Sequence, residues 1–376
     1  MRLLIAGGRL QGVEAVYLAQ KLGWEMIVVD RNENAAASKM CDEFHCIDIA
    51  DSDKMLPLVK SVDAVLPALE ELAEIEKLEQ YCEISGVPFL FDVNAYRLSS
   101  SKLQSDRFFA ENNISAPKYY PEAEFPLIAK PSDSSGSEDV RIIESREELA
   151  EIDFASTVVQ EYLRGCSYSL EVVGNGATFD LLQITEIVTD GGYDCKCVVA
   201  DPNICIDVKA EFYAIARRIA ELVKVCGVFD IEVIASPSGL KVIEIDARLP
   251  SQTPICVLHS TDVNVLERMY RYHTETLAPQ SIVAPNAKRA AIYRQILVEN
   301  GRILSLGEHV LANRGALAIR DGLFGSDCMI TDYACGKSEW AAAVIITGDT
   351  LELAESAFMR VIENIEQETG IQIYEE

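Results

Sequence analysis

The sequence predicts an α/β protein of two or three packed domains, and three observations predict it. Residues 1–92 alternate apolar runs with helix-patterned stretches, residues 93–284 carry short strand-like runs broken by Gly, Pro and Ser, and residues 285–376 mix both patterns and end on a helix. These three spans are the expected domains. At 376 residues the chain is too long for one ordinary core.

The elements follow in order. Leu3 to Ala6 is an apolar run, Gly7 to Gly12 a glycine turn, and Val13 to Leu22 has helical periodicity. Met26 to Val29 makes a second buried strand ending at Asp30, and Ala64 to Leu69 and Pro88 to Phe91 give a third and a fourth. The acidic stretch Glu70 to Ser85 between them favours a helix, so the unit reads as parallel βαβ. Ser99-Ser100-Ser101 precedes a new helix running through Asn112. From Pro117 to about Ala284 the pattern is short strands, interrupted by one helix from Lys209 to Cys226. A last segment begins near Pro285 and closes with a helix from Leu351 to Thr369. Internal repeats and low-complexity segments are absent from the sequence.

Composition excludes several function classes. Sixty acidic against thirty-three basic residues give a net charge of -27, which repels nucleic acid and anionic membrane surfaces. No run approaches the eighteen or so apolar residues of a membrane span, and the N-terminus runs directly into a strand and turn, so a cytoplasmic protein is expected. Eleven cysteines without a secretory signal fit a reducing compartment. Cys195 and Cys197 form no CxxC and have no His nearby, which leaves a zinc site unsupported. With four histidines and no G-x-S-x-G elbow, a hydrolase triad has no foothold.

Gly7-Gly8-Arg9-Leu10-Gln11-Gly12 sits between a strand and a helix, with Asp30 ending the next strand, and so invites a dinucleotide reading. The spacing argues against it. A G-x-G-x-x-G beginning at Gly7 needs glycine at position 9, where the backbone approaches the pyrophosphate, and the chain has Arg9.

The most informative segment is a hairpin. Val228 to Ile234 and Leu240 to Arg248 are runs of β-type residues flanking Ala235-Ser236-Pro237-Ser238-Gly239. With an odd-numbered loop, Glu232 lies opposite Glu244 and Asp230 opposite Asp246. Alternation then puts all four carboxylates and Arg248 on one face, with Phe229, Ile231, Ile243 and Ile245 on the other. Like charges facing each other across a ladder are destabilising, and a cation resolves the conflict. Such hard oxygen ligands suit Mg²⁺. The plain alternative is an acidic edge facing water, and Arg248 in the same row weighs against it.

Upstream, Pro126 to Lys130 reads as a strand ending in lysine, followed by the small-residue loop Ser132-Asp133-Ser134-Ser135-Gly136-Ser137. The lysine supplies a point charge for a phosphate, and the loop, Ser137 included, supplies backbone and hydroxyl donors. Lys102, beside the serine run, is a second candidate cation.

Taken in order, Ser101-Lys102, Ile128-Ala129-Lys130-Pro131, Gln160-Glu161-Tyr162-Leu163 and the hairpin ending Glu244-Ile245-Asp246-Ala247-Arg248 resemble the ATP-grasp superfamily. The resemblance implies an ATP-grasp fold preceded by a Rossmann-like substrate-binding domain and followed by a small α+β region. It also implies that Lys102 and Lys130 contact ATP phosphates, that Gln160 to Leu163 hold the adenine, and that Glu232, Glu244 and Asp246, with Asp230 behind them, carry Mg²⁺. Two departures stand out: the last metal ligand is usually asparagine where this chain has Asp246, and Gly165 to Glu171 lacks the acidic residues that often follow that glycine.

Within the superfamily the whole chain is most similar to the ligases of pyrrolysine biosynthesis, which join 3-methyl-D-ornithine to the ε-amine of L-lysine. Ala6 to Ala15, Val65 to Glu70 and Asp246 to Pro254 carry that similarity. It implies that Leu10, Gln11 and Glu70 help hold lysine, and that Arg248 and Ser251, Gln252 and Thr253, with Ser169, serve the ornithine moiety. The implied chemistry is an acyl phosphate attacked by an amine, with Arg248 and Lys130 as the catalytic cations. Another ATP-grasp amino-acid or dipeptide ligase, an NAD oxidoreductase and a nucleotide sensor without turnover are the competing expectations, and a homodimer stays open.

Overall fold

A computed structural model describes residues 1–133, 139–275, 282–283, 287–371 and 373–375. The N-terminal unit comprises β1 (Arg2–Ala6), α1 (Leu10–Lys21), β2 (Glu25–Asp30), β3 (Glu43–Cys46), α2 (Ser52–Val59), β4 (Ala64–Pro67) and α3 (Leu72–Ser85). Its four strands are parallel in the order β3-β2-β1-β4. Leu3, Leu4 and Ile5 are 0% exposed, because helices cover both faces of the sheet. The run Pro88 to Phe91, expected as a strand, makes only an isolated parallel bridge from Phe89 to Val65. Pro88 has no N–H to extend the ladder. The other edge is β3, whose Glu-Phe-His-Cys sequence carries no apolar run to announce it.

Gly7 takes φ +110, and a side chain there would meet the Ala68 carbonyl oxygen at 2.2 Å; at Gly12 the Gly7 oxygen would be as close. These glycines let β1, the turn and α1 pack tightly, which explains the motif without a dinucleotide.

Next come α4 (Val93–Ser99), capped by Asp92, and α5 (Lys102–Glu111). A three-stranded antiparallel sheet, in the order β6-β5-β7, is formed by β5 (Leu127–Pro131), β6 (Arg141–Ile143) and β7 (Thr157–Glu161), with the short α6 (Arg146–Leu149) between β6 and β7.

The remaining strands form one large sheet. Its path is β12-β11-β8-β9-β10-β14-β18-β17-β16. The members are β8 (Ser167–Asn175), β9 (Phe179–Thr189), β10 (Cys195–Ala200), β11 (Cys226–Ser236), β12 (Gly239–Asp246), β13 (Ile282–Val283), β14 (Ala290–Glu299), β15 (Arg302–Ser305), β16 (Ala318–Asp321), β17 (Cys328–Thr331), β18 (Trp340–Gly348) and β19 (Ile373–Glu375). Because β14 pairs with β10, residues after 287 extend the sheet begun by the central segment. The expected boundary at 284 falls outside the described residues.

The helix α7 (Ile206–Val223) begins and ends three residues before the one helix expected between Pro117 and Ala284, Lys209 to Cys226, whose last residue opens β11 instead; beyond the short α6, α8 (Thr253–Thr261) and α9 (Val265–Thr274) are additional. Both are short. In α8 the Thr-Pro start reads as a turn, yet proline fits the first turn of a helix; seven of its nine residues are buried, so no amphipathic period shows. The short α10 (His309–Ala312) follows β15, and α11 (Leu351–Thr369) runs between a Thr350 cap and left-handed Gly370.

Two packing faces matter for the site. Phe229, Ile231, Val242 and Ile245 on the back of the hairpin join Phe212, Ala216 and Ile219 of α7 in one buried cluster. Each of these side chains except Ala216 contributes roughly 1.5–3 kcal/mol on burial, which anchors the opposite face of the hairpin.

Candidate active site

The front of the hairpin opens on a cavity of about 460 Å³ between the large and small sheets. In it Asp230 faces Asp246 and Glu232 faces Glu244, the register expected from the sequence. The route to that register differs. Ser236 pairs with Gly239, so the loop is the even pair Pro237-Ser238, and a bulge then shifts the pairing between Val233 and Glu232. Ile243 is the extra residue. It was expected on the apolar face; it lines the cavity beside Glu244 instead, while Val242 fills the core at 0% exposure.

Cations bracket the carboxylates. Lys102, at the start of α5, places Nζ 2.9 Å from Glu244 Oε1. Lys130, near the end of β5, lines the same cavity, and burial lowers its pKa against the pull of Glu244. Arg248 Nε lies 2.8 Å from Asp246 Oδ2 and 3.1 Å from Glu70 Oε1, as ion pairs rather than aligned hydrogen bonds.

Burial and then repulsion by Glu244 push the Glu232 carboxyl up to about 7. Burial does the same for Asp246, to about 7, against the guanidinium of Arg248, and raises Asp230 well above the usual range. Oδ1 of Asp230 and Oδ1 of Asp246 are buried with no hydrogen-bond partner among the described residues. Orphaned, mutually repelling carboxylate oxygens are the donor set a hard divalent cation satisfies, so the residues fit Mg²⁺.

On the far wall, Gln160, Glu161, Tyr162 and Leu163 line the cavity. Glu161 exchanges hydrogen bonds with Lys118, its Oε1 accepting from Lys118 N at 2.9 Å and its N–H donating to Lys118 O at 2.8 Å, while Tyr162 N donates to Pro126 O at 3.1 Å. This segment is therefore tied to Lys118 and Pro126 by its hydrogen bonds. Ser132 is tied to α5 by its carbonyl, which accepts from Lys102 N at 3.0 Å. Ser137, with the rest of 134–138, lies outside the described residues.

A second cavity, of about 350 Å³, opens on the N-terminal unit and is lined by Leu10, Gln11 and Glu70. Gln11 Nε2 donates to Glu70 Oε1 at 2.8 Å. Arg248, Ser251 and Glu308 line both cavities, so this is where the two meet. Gln252 and Thr253 face the first only. Ser169 does not reach either wall: it is 1% exposed and sits beside Glu232 in register on β8.

Sequence reasoning missed Glu308. Its Oε2 accepts from Gln252 Nε2 at 2.6 Å and from Ser251 Oγ at 3.1 Å, and burial raises its pKa. Its loop is pinned by Gly307 N donating to Asp190 Oδ2 at 3.1 Å and by His309 N donating to Asp194 Oδ2 at 3.0 Å. No motif surrounds Glu308, because its partners come from strands and loops far away in the chain. Among the described residues no helix is long and apolar enough to cross a membrane.

Comparison with known proteins places the chain in a family. Residues 99–252 match the ATP-grasp domain family and residues 3–90 match the PylC-like N-terminal domain family. The chain is 38% identical over 312 residues to the 3-methyl-D-ornithine–L-lysine ligase of Methanosarcina acetivorans, covering 82% of this chain and 84% of that one. It is 37% identical to the protein of the same name from Methanosarcina mazei, over 82% of each. Among solved structures, the biotin carboxylase domain of Hydrogenobacter thermophilus 2-oxoglutarate carboxylase, in complex with MgADP, ADP and bicarbonate, has a TM-score of 0.74 at 16% identity, over 96% of this chain and 89% of that one, a likeness of fold.

Proposed function

Because this chain belongs to the 3-methyl-D-ornithine–L-lysine ligase family of ATP-grasp enzymes, we propose that it couples ATP hydrolysis to amide formation between 3-methyl-D-ornithine, or D-ornithine, and the ε-amine of L-lysine. One observation carries the reading: Arg248, Ser251 and Glu308 border both cavities, so an acid activated on the metal side meets an amine entering from the N-terminal side.

In this reading ATP lies between the hinge at Gln160 to Leu163 and the carboxylate hairpin, with Lys102 and Lys130 at its phosphates. Glu232, Glu244 and Asp246, together with Asp230, would hold Mg²⁺, which would neutralise phosphate charge. The γ-phosphoryl group passes to a carboxylate oxygen of the ornithine, giving an acyl phosphate and ADP. Arg248 orients that carboxylate through its planar fork and then stabilises the oxyanion formed as the amine attacks. Phosphate leaves as the carbonyl re-forms.

Lysine lies along the second cavity. The helix α1 begins there with no side-chain cap and no acidic residue in its first turn, so its free N–H groups suit the α-carboxylate. The attacking ε-amine must arrive neutral, and its pKa in water is about 10.4. Glu308, at the junction, is the carboxylate assigned to take its proton. Mass spectrometry of a reaction containing ATP, L-lysine and D-ornithine tests the function: the amide product should form with one ADP per coupling. ADP release that ignores these two substrates but responds to another amino-acid pair would move the chain to a different ATP-grasp ligase activity.

A further inference from the structure

Glu14 lies in the middle of α1, 1% exposed, and takes no part in the chemistry above. Its carboxylate reaches out of the N-terminal unit to the start of α8. Oε2 accepts from Gln252 N at 2.9 Å, and Oε1 accepts from Ile255 N at 2.7 Å. These are the N-cap and third-position N–H groups that a capping box satisfies with two side chains of its own helix, and α8 has no capping side chain of its own. One carboxylate from another element does both.

The capped residue is unusual. Gln252 has φ +75, left-handed backbone that a non-glycine residue adopts only when its surroundings hold it there. Its side chain is clasped as well, Nε2 donating to Glu308 Oε2 at 2.6 Å and Oε1 accepting from Gln295 Nε2 at 3.2 Å. Ser251, Gln252 and Thr253 form the loop assigned to the acid substrate. One turn before Glu14, Gln11 faces the cavity assigned to lysine. A single helix therefore touches both subsites, and a second contact between α1 and α8, Tyr17 Oη to His259 Nε2 at 2.7 Å, lies away from the loop.

We propose that Glu14 is a positioning residue that holds Ser251 to Thr253 in the shape that binds the acid, making that shape conditional on the seat of α1. The identity of the ligand rests on the function proposed above; the cap itself does not. Glu14→Gln keeps the volume and one acceptor but turns an amide N–H₂ toward a backbone N–H. Tyr17→Phe loosens the same helix pair elsewhere and serves as the comparison.

Loss of one cap corresponds to about a tenfold change in an equilibrium. Steady-state ADP release should show the KM for D-ornithine raised about tenfold in Glu14→Gln, with the KM for ATP within about twofold of wild type. Tyr17→Phe should leave the KM for D-ornithine unchanged. Amide hydrogen exchange should quicken at Gln252 and Ile255 in Glu14→Gln alone. An unchanged KM for the acid in Glu14→Gln, or an equal rise in Tyr17→Phe, overturns the proposal, as does exchange that quickens evenly along α8. Should wild type release no ADP with ornithine and lysine, the functional reading falls and the ligand with it, while the exchange data still decide whether Glu14 shapes the loop.

Discussion

Lys130 and Arg248 are cations held out of water beside carboxylates, so each is worth more to a developing charge than an exposed residue would be. Removing one positioned donor typically costs about 10²- to 10³-fold in rate. Lys130→Ala and Arg248→Ala should each lose ADP release on that scale, and Glu244→Ala, which removes a proposed metal ligand and the partner of Lys102, should lose nearly all of it. ADP release near wild type in these three variants would mean that the site is misplaced. Glu308→Gln is a different kind of change. If Glu308 accepts the amine proton, kcat/KM for lysine should fall about 10²-fold at pH 7 and recover as pH rises, because more of the lysine is then neutral. A loss that stays flat with pH would make Glu308 a binding group instead.

At the scale of the element, strict alternation and the bulge give opposite answers for Ile243. If it packed in the core as alternation demands, Ile243→Ala would cost about 2–5 kcal/mol. On the cavity wall, the same change should leave the thermal midpoint nearly unaltered and raise the KM for ATP several-fold. Thermal unfolding and ADP-release kinetics on the one variant separate the two. The hairpin also shows what a sequence carries and what it hides. Facing pairs of like charge with a period of two were legible from strand alternation, and α7 and α11 were legible from their helical period. The even loop and its compensating bulge were not, because a turn of Ser, Pro and Gly fits either parity. Nor was α8, most of whose residues are buried so that no amphipathic period shows, or Glu308, whose partners Ser251 and Gln252, and those of its loop, Asp190 and Asp194, lie far away in the chain.

At the scale of the whole molecule, the buried carboxyls of the hairpin link folding, protons and the proposed cation. The carboxyls of Glu232 and Asp246 titrate at about 7 in the folded protein, raised chiefly by burial. In an unfolded chain they titrate at about 4.3 and 3.9. Between those limits the folded state keeps protons that the unfolded chain has released, so these groups favour the metal-free fold at low pH and cease to as pH rises through 7. A divalent ion binds only the ionised carboxylates. Below 7 it must displace their protons, and above 7 it also relieves the repulsion that has appeared. At fixed Mg²⁺ and ADP concentrations, chosen as a hundredfold excess over Kd at pH 8 to give about 2.7 kcal/mol, the stabilisation should therefore be smaller at pH 6, where proton competition raises Kd. Calorimetry at pH 6.5 in buffers of different ionisation enthalpy should detect proton release on binding. Chelation with EDTA should return the midpoint to that of the metal-free protein at each pH. Asp246→Asn and Glu232→Gln, which cannot release these protons, should each reduce the pH dependence. If the thermal shift is the same at both pH values, or survives intact in both variants, the cation is held by other groups and the hairpin is an acidic surface.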